Sequence, residues 1–324
     1  MPLADYIAAA NEHYYGSRDP IGAAGDFITS PEISQMFGEL IGLWLADLWQ
    51  RAGAPANICY VELGPGRGTL AADALRAMAS AGLKPSVHLV ETSAVLREAQ
   101  RLRVPDAIWH DDISTLPDAP LLVIANEFFD ALPIRQLIAD EEGWRETRVA
   151  FSDGRFAPVP GPLLPAPLAP AEPGTIVELS PASASIARDL ARRLSVQGGA
   201  ALLVDYGPER SGSGDTLQAV KAHGFADPWQ RPGEQDLTAH VDFQALKRAA
   251  KGEGVAVHGP VAQGEWLLEM GIQVRAALLA KSSPAKAAEI EAAKARLTEP
   301  EQMGELFKMM AFTGQGWPEP AGFQ

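Results

Sequence analysis

The chain has 324 residues, 47% hydrophobic and 21% charged, an ordinary balance for a soluble globular protein with one large α/β domain or two modest ones. A formal net charge of −14 argues against broad binding to a nucleic-acid backbone, which needs clustered Lys and Arg. No window reaches the roughly 20 apolar residues of a membrane span, and a single cysteine, Cys59, excludes an intrachain disulfide and fits a reducing compartment.

The acidity suits either a cationic substrate or simple solubility. The opening Met-Pro-Leu-Ala-Asp-Tyr shows neither the basic and apolar regions of a signal peptide nor the Arg- and Ser-rich character of a transit peptide. A protein of the cytoplasm, or of an organelle matrix after processing, is expected.

Residues 1–56 read as a helical extension. Leu3, Tyr6, Ile7 and Ala10 share one face, and 33–49 has the periodicity of a longer helix. Ser30 reads as the N-cap of that helix, with Pro31 at its first position. Residues 57–324 then form the main domain. From 58 to 126, short apolar runs at 58–63, 87–90, 107–109 and 121–125 alternate with helix-length stretches at about 69–81 and 94–101. That pattern predicts a parallel sheet covered on both faces.

An insertion is expected at about 133–173. Alternation with turns such as Asp153-Gly154 predicts an antiparallel hairpin over 133–157. The seven prolines of 158–173 predict a stiff surface loop. The parallel pattern resumes with a helix at 181–195, a strand at 200–205, a helix at 243–250 and a short strand at 254–258. An alanine-rich helical segment at about 265–298 and a closing strand at 307–312 complete the chain.

The glycine loop Gly64-Pro65-Gly66-Arg67-Gly68 follows the first strand and opens a helix. Glycines allow a tight turn and close approach of a ligand, but a plain turn uses them as well. The spacing is not the Gly-x-Gly-x-x-Gly of dinucleotide binders. Glu62, at the strand end, suits a ligand carrying an ammonium and a sulfonium rather than pyrophosphate.

The second strand ends at Glu91, where a carboxylate can accept both ribose hydroxyl hydrogens. The third is followed by Asp111 and Asp112, which can meet an adenine amino group or simply cap a turn. The fourth ends in Asn126-Glu127-Phe128-Phe129-Asp130, which reads as a substrate-facing loop. Asp205 and Tyr206 end the fifth and either line the same cavity or finish the strand. Six histidines without a His-x-x-x-His pair, and no cysteine cluster, give no expectation of a metal.

Five segments carry a family resemblance: GDFITSPEISQMFGEL (25–40), ELGPGRGTL (62–70), ANEFFDALP (125–133), DYG (205–207) and DLTAHVDF (236–243). They resemble the MidA-type methyltransferases, the group that contains the mitochondrial complex I assembly-factor arginine methyltransferase. The resemblance implies a Rossmann-like class I methyltransferase fold with a mostly parallel, seven-stranded sheet, and S-adenosyl-L-methionine as cofactor. For the mitochondrial relative it implies symmetric dimethylation of an arginine on a respiratory complex I subunit. By position it assigns Gly64, Gly66 and Gly68 to the cofactor cradle, Glu91 to ribose and Asp112 to adenine. Asn126 and Glu127 would bound the methyl-transfer cavity, and Thr29, Ser30 and Pro31 would close over the cofactor.

An arginine acceptor needs carboxylates that hold its fork and localise charge away from the attacking nitrogen. Glu127 and Asp130 are the candidates. His240, just before a helix, is either the proton acceptor or a structural histidine. Two rival functions remain on this reading: a methyltransferase for a small molecule, and a non-catalytic assembly protein that kept the fold.

Overall fold

The structure is a computed structural model and describes residues 1–17, 19, 22, 25–165 and 168–323. The chain opens with α1 (Leu3–Ser17), the single turn α2 (Ser30–Ile33) and α3 (Gln35–Arg51). Strands and helices then alternate: β1 (Cys59–Leu63), α4 (Thr69–Ser80), β2 (Ser86–Val90), α5 (Ala94–Arg103), β3 (Ile108–His110) and β4 (Leu121–Asn126). An insertion follows, with β5 (Arg135–Asp140), β6 (Gly143–Ser152), β7 (Arg155–Leu163) and β8 (Ile176–Leu179). Next come α6 (Pro181–Gln197), β9 (Gly199–Tyr206) and the short strands β10 (Gln218–Lys221), β11 (Gly224–Ala226) and β12 (Asp236–Thr238). The chain closes with α7 (Phe243–Lys251), β13 (Ala256–Ala262), α8 (Gln263–Glu269), α9 (Ile272–Ser282), α10 (Ala287–Thr298) and β14 (Phe307–Thr313).

The expected seven-stranded sheet is present, in the order β13-β14-β9-β4-β1-β2-β3, with β14 alone running against its neighbours. Its central strands are buried along their whole length because both faces are covered, and their polar residues, Glu62 and Asn126, fall at the carboxyl ends. One face packs on α3, α4 and the carboxy-terminal helices, through residues such as Phe37, Ile41, Met78, Trp266 and Leu297. The other packs on α6 and α7, through Leu190, Leu194, Phe243 and Leu246. A Cβ on Gly42 of α3 would lie 2.3 Å from the Ala74 carbonyl oxygen, so only glycine lets α3 approach α4 this closely. The helical N-terminal segment is therefore not an appendage: α3 is a layer of the main core.

The structure differs from expectation at three places, each for a physical reason. Ser30 does not cap the long helix. Ser34 sits in extended backbone (φ −161°, ψ 138°) and its side chain accepts from the Met36 amide, so the helix restarts at Gln35. The inserted hairpin is a four-stranded antiparallel sheet in the order β7-β6-β5-β8.

The first prolines of 158–173 lie in a strand rather than a loop. Pro158 and Pro160 are two residues apart on β7, an edge strand paired on one side with Val149 and Thr147 of β6. Alternate amides of such a strand face away from the partner, so both missing N–H groups fall on the open side. Of the remainder of that segment, Ala166 and Pro167 lie outside the described residues.

Candidate functional site

A cavity of about 1120 Å³ opens at the carboxyl ends of the parallel strands, where ligands of open α/β sheets bind. The glycine loop forms one wall. Gly64, Gly66 and Gly68 all adopt left-handed backbone (φ +59°, +54° and +79°), and Gly68 stands at the N-cap of α4. Gly64 and Gly66 line the cavity. A Cβ on Gly64 would lie 2.9 Å from Phe128 Cδ2.

Glu62 lines the same wall. It accepts the Tyr60 hydroxyl at 2.6 Å, and burial pushes its carboxyl up to about 8. Glu91, at the end of β2, accepts the Ser93 amide (2.8 Å) and Gln100 Nε2 (3.3 Å), and burial raises its pKa. Gln100 also donates to the Gly66 carbonyl (2.7 Å) and accepts Trp109 Nε1 (2.7 Å). It thus ties the glycine loop to the acidic strand end. Nothing in the sequence singled Gln100 out, because one glutamine on an amphipathic helix carries no local signal.

Asp112 lies apart from these residues. It is exposed and caps its own turn, with Oδ1 accepting the Ser114 amide at 2.6 Å. Its neighbour Asp111 pairs with Arg97. Neither aspartate lines the cavity.

The loop after β4, beside the glycine loop, supplies further acids of the cavity. Glu127 has left-handed backbone (φ +50°), sparsely populated for a residue with a side chain and a mark of strain held at functional sites. Its Oε1 accepts the Ser30 amide (3.1 Å) and Asn126 Nδ2 (3.1 Å), and burial raises it to about 7. Asn126 is buried, and its Oδ1 has no hydrogen-bond partner among the described residues. Asp130 is raised by burial to about 6.

Behind them, Asp205 is wholly buried and accepts the amides of Phe129 (2.9 Å) and Asp130 (3.3 Å). It therefore holds the loop as well as ending β9. Thr29 and Pro31 line the cavity. Ser30 does not; its amide fixes Glu127 from behind, while its hydroxyl meets Gln263 at 3.4 Å.

The small sheet β11-β10-β12 completes the site, and its three- and four-residue strands were too short to read from periodicity. It presents Asp236, Thr238 and Gln218 to the cavity. Gln218 Nε2 donates to the Tyr206 hydroxyl (3.0 Å), which donates to Thr238 Oγ1 (2.7 Å). Tyr206 also meets the His240 ring edge-on at 5.5 Å. His240 is half-buried, and desolvation lowers its pKa, which keeps the imidazole neutral. Tyr206 and His240 both line the cavity, together with the glycine-wall and β4-loop residues.

The arrangement is a pocket with a glycine-loop wall, a buried carboxyl at the end of the second strand and an excess of acids. The family described as "Putative S-adenosyl-L-methionine-dependent methyltransferase" matches residues 40–261, well over half of the chain. The chain is 37% identical to the mitochondrial protein arginine methyltransferase NDUFAF7 of Xenopus tropicalis, over 96% of this chain and 82% of that one. It is 38% identical to the Homo sapiens protein of the same name, over 92% and 76%. In three dimensions it is similar to a COG1565 superfamily member from Burkholderia thailandensis solved with S-adenosyl-homocysteine, with TM-score 0.85 and 27% identity over 99% of this chain and 89% of that one. The chain belongs to the MidA-type family of S-adenosylmethionine-dependent methyltransferases.

Proposed function

We propose that this methyltransferase modifies an arginine of a protein substrate by symmetric dimethylation, with a respiratory complex I subunit as the acceptor and the bacterial-type cytoplasm as the setting. The observation that carries the reading is a group of carboxyls on the cavity, Glu127, Asp130 and Asp236, the last two buried. None of them takes part in an ion pair among the described residues. Burial of unpaired carboxylates is costly unless a cation joins them.

The residues present fit the cofactor. Gly64 and Gly66 offer a wall without side chains, Glu91 offers a carboxylate for the ribose, and Asn126 Oδ1 is a buried acceptor that suits an ammonium donor. When bound, S-adenosylmethionine supplies an electrophilic methyl group. Positioning of the acceptor is what the protein must add.

A guanidinium stays protonated near neutral pH and spreads its charge over three nitrogens. Glu127 and Asp130 hold its fork and draw that charge away from the attacking nitrogen. Glu127 is already oriented, because Ser30 and Asn126 both hold Oε1. His240, kept neutral, takes the proton that the methylated nitrogen must release.

The test is incubation of the protein with labelled S-adenosylmethionine and a lysate lacking its own copy. Label recovered as symmetric dimethylarginine after hydrolysis of a protein band supports the reading. Label confined to small molecules overturns it and favours a small-molecule acceptor.

A further inference from the structure

We propose that Asp236, held in place by Tyr15, is a third carboxylate that pairs directly with the guanidinium of the acceptor, from the small sheet. The inference rests on the arginine reading above and names a residue for that same site. Asp236 lies on β12, is 5% exposed and lines the cavity. Its Oδ1 accepts the Tyr15 hydroxyl at 2.8 Å, and no other hydrogen bond reaches its carboxyl among the described residues. The second oxygen is left for a ligand. Asn126 lines the same cavity, and its buried Oδ1 has no hydrogen-bond partner among the described residues.

The charges around Asp236 point to the ligand's sign. Asp130, Asp26 and Glu127 all act on it, and burial together with them raises its carboxyl to about 8. An anion or a neutral ligand would leave these acids uncompensated. A compact ammonium satisfies one carboxylate, whereas a planar fork with five donors can meet several at once. Carboxyls on two separate elements, β12 and the loop after β4, suit the fork.

Tyr15 ties this acid to the cofactor side. Its carbonyl accepts Ser93 Oγ at 2.7 Å, and the Ser93 amide donates to Glu91 Oε1. One residue of α1 therefore touches the ribose-type strand end through its backbone and Asp236 through its hydroxyl. Tyr15 is a positioning residue, because it acts through Asp236.

The experiment is calorimetric titration of N-acetyl-L-arginine amide into the protein saturated with S-adenosyl-homocysteine, at pH 7 in buffers of differing ionisation enthalpy. Asp236→Asn keeps an acceptor for the Tyr15 hydroxyl but removes the charge. The expected result is binding to the wild type with net proton release, and about 10- to 100-fold weaker binding to D236N with fewer protons released. S-adenosyl-homocysteine affinity, unchanged within about threefold, checks that the variant is folded. Tyr15→Phe, which leaves the carboxyl unheld, should lower arginine-amide affinity less than D236N does. Arginine-amide binding equal in wild type and D236N overturns the inference alone. Failure of the wild type to bind the arginine amide overturns the arginine reading itself.

Discussion

Glu127 joins a strained backbone to a partly buried carboxyl raised to about 7, and each accounts for part of its role. The left-handed φ of +50° aims the side chain into the cavity, and the Ser30 and Asn126 donors then fix one oxygen. Glu127→Gln keeps the shape but not the charge. It should leave S-adenosyl-homocysteine affinity unchanged and lower turnover roughly 100-fold or more. Equal turnover in that variant would remove Glu127 from the mechanism.

Gly66→Val makes the converse case, since it forces a branched side chain into left-handed backbone on the cavity wall. Calorimetry should show loss of S-adenosyl-homocysteine binding, and retained affinity would refute the placement of the loop. These residues were legible because each ends a strand, and successive parallel strands bring their ends to one edge. Tyr15 and Asp236 were not, since 221 positions separate them and only the packed tertiary structure makes them neighbours. Asp112 stands differently: it is an acid at a plausible strand end whose Oδ1 accepts an amide of its own turn and which does not line the cavity.

At the scale of elements, α1 is fastened to the site by Asn11. Its Nδ2 donates to the carbonyls of Ala131 (3.0 Å) and Leu237 (2.8 Å), and its Oδ1 accepts the Leu237 amide (3.2 Å). Asn11→Ala strands these buried backbone groups, so stability should fall by about 2–3 kcal/mol. Urea denaturation should show a lower midpoint with an unchanged slope. A loss below about 0.5 kcal/mol would mean that α1 is held by its apolar face alone.

The longer elements were readable from periodicity because burial sets it: β1 and β4 are buried throughout and apolar up to their carboxyl ends, and α3 carries a full apolar face. The small sheet was not, because strands of three or four residues are shorter than the pattern needed to detect them. The prolines of β7 misled for a different reason. They remove hydrogen bonds only on the side of an edge strand that makes none, and the sequence does not say which strand is at the edge.

Over the whole molecule, the buried acids make stability depend on pH in an unusual direction. Burial raises Glu62 and Asp236 to about 8, Glu127 to about 7 and Asp130 to about 6. In the unfolded chain these groups ionise near pH 4. The folded chain therefore holds more protons than the unfolded one across that interval, and stability falls as pH rises through it.

The buried His88 and the partly buried His110, His240 and His258 act the other way, because desolvation lowers them. Their contribution rises with pH only up to about 6.5 and is then constant. From about pH 6.5 to 8.5 the raised carboxyls act alone. The ligand-free protein should lose on the order of a few kcal/mol across that window, read as a falling urea midpoint. Asp236→Asn removes one titrating group, so its midpoint should fall less steeply over the same range. A midpoint that rises from pH 6.5 to 8.5 in the wild type would show that the carboxyls have cations of their own. The cavity would then have no unmet demand for a positively charged ligand.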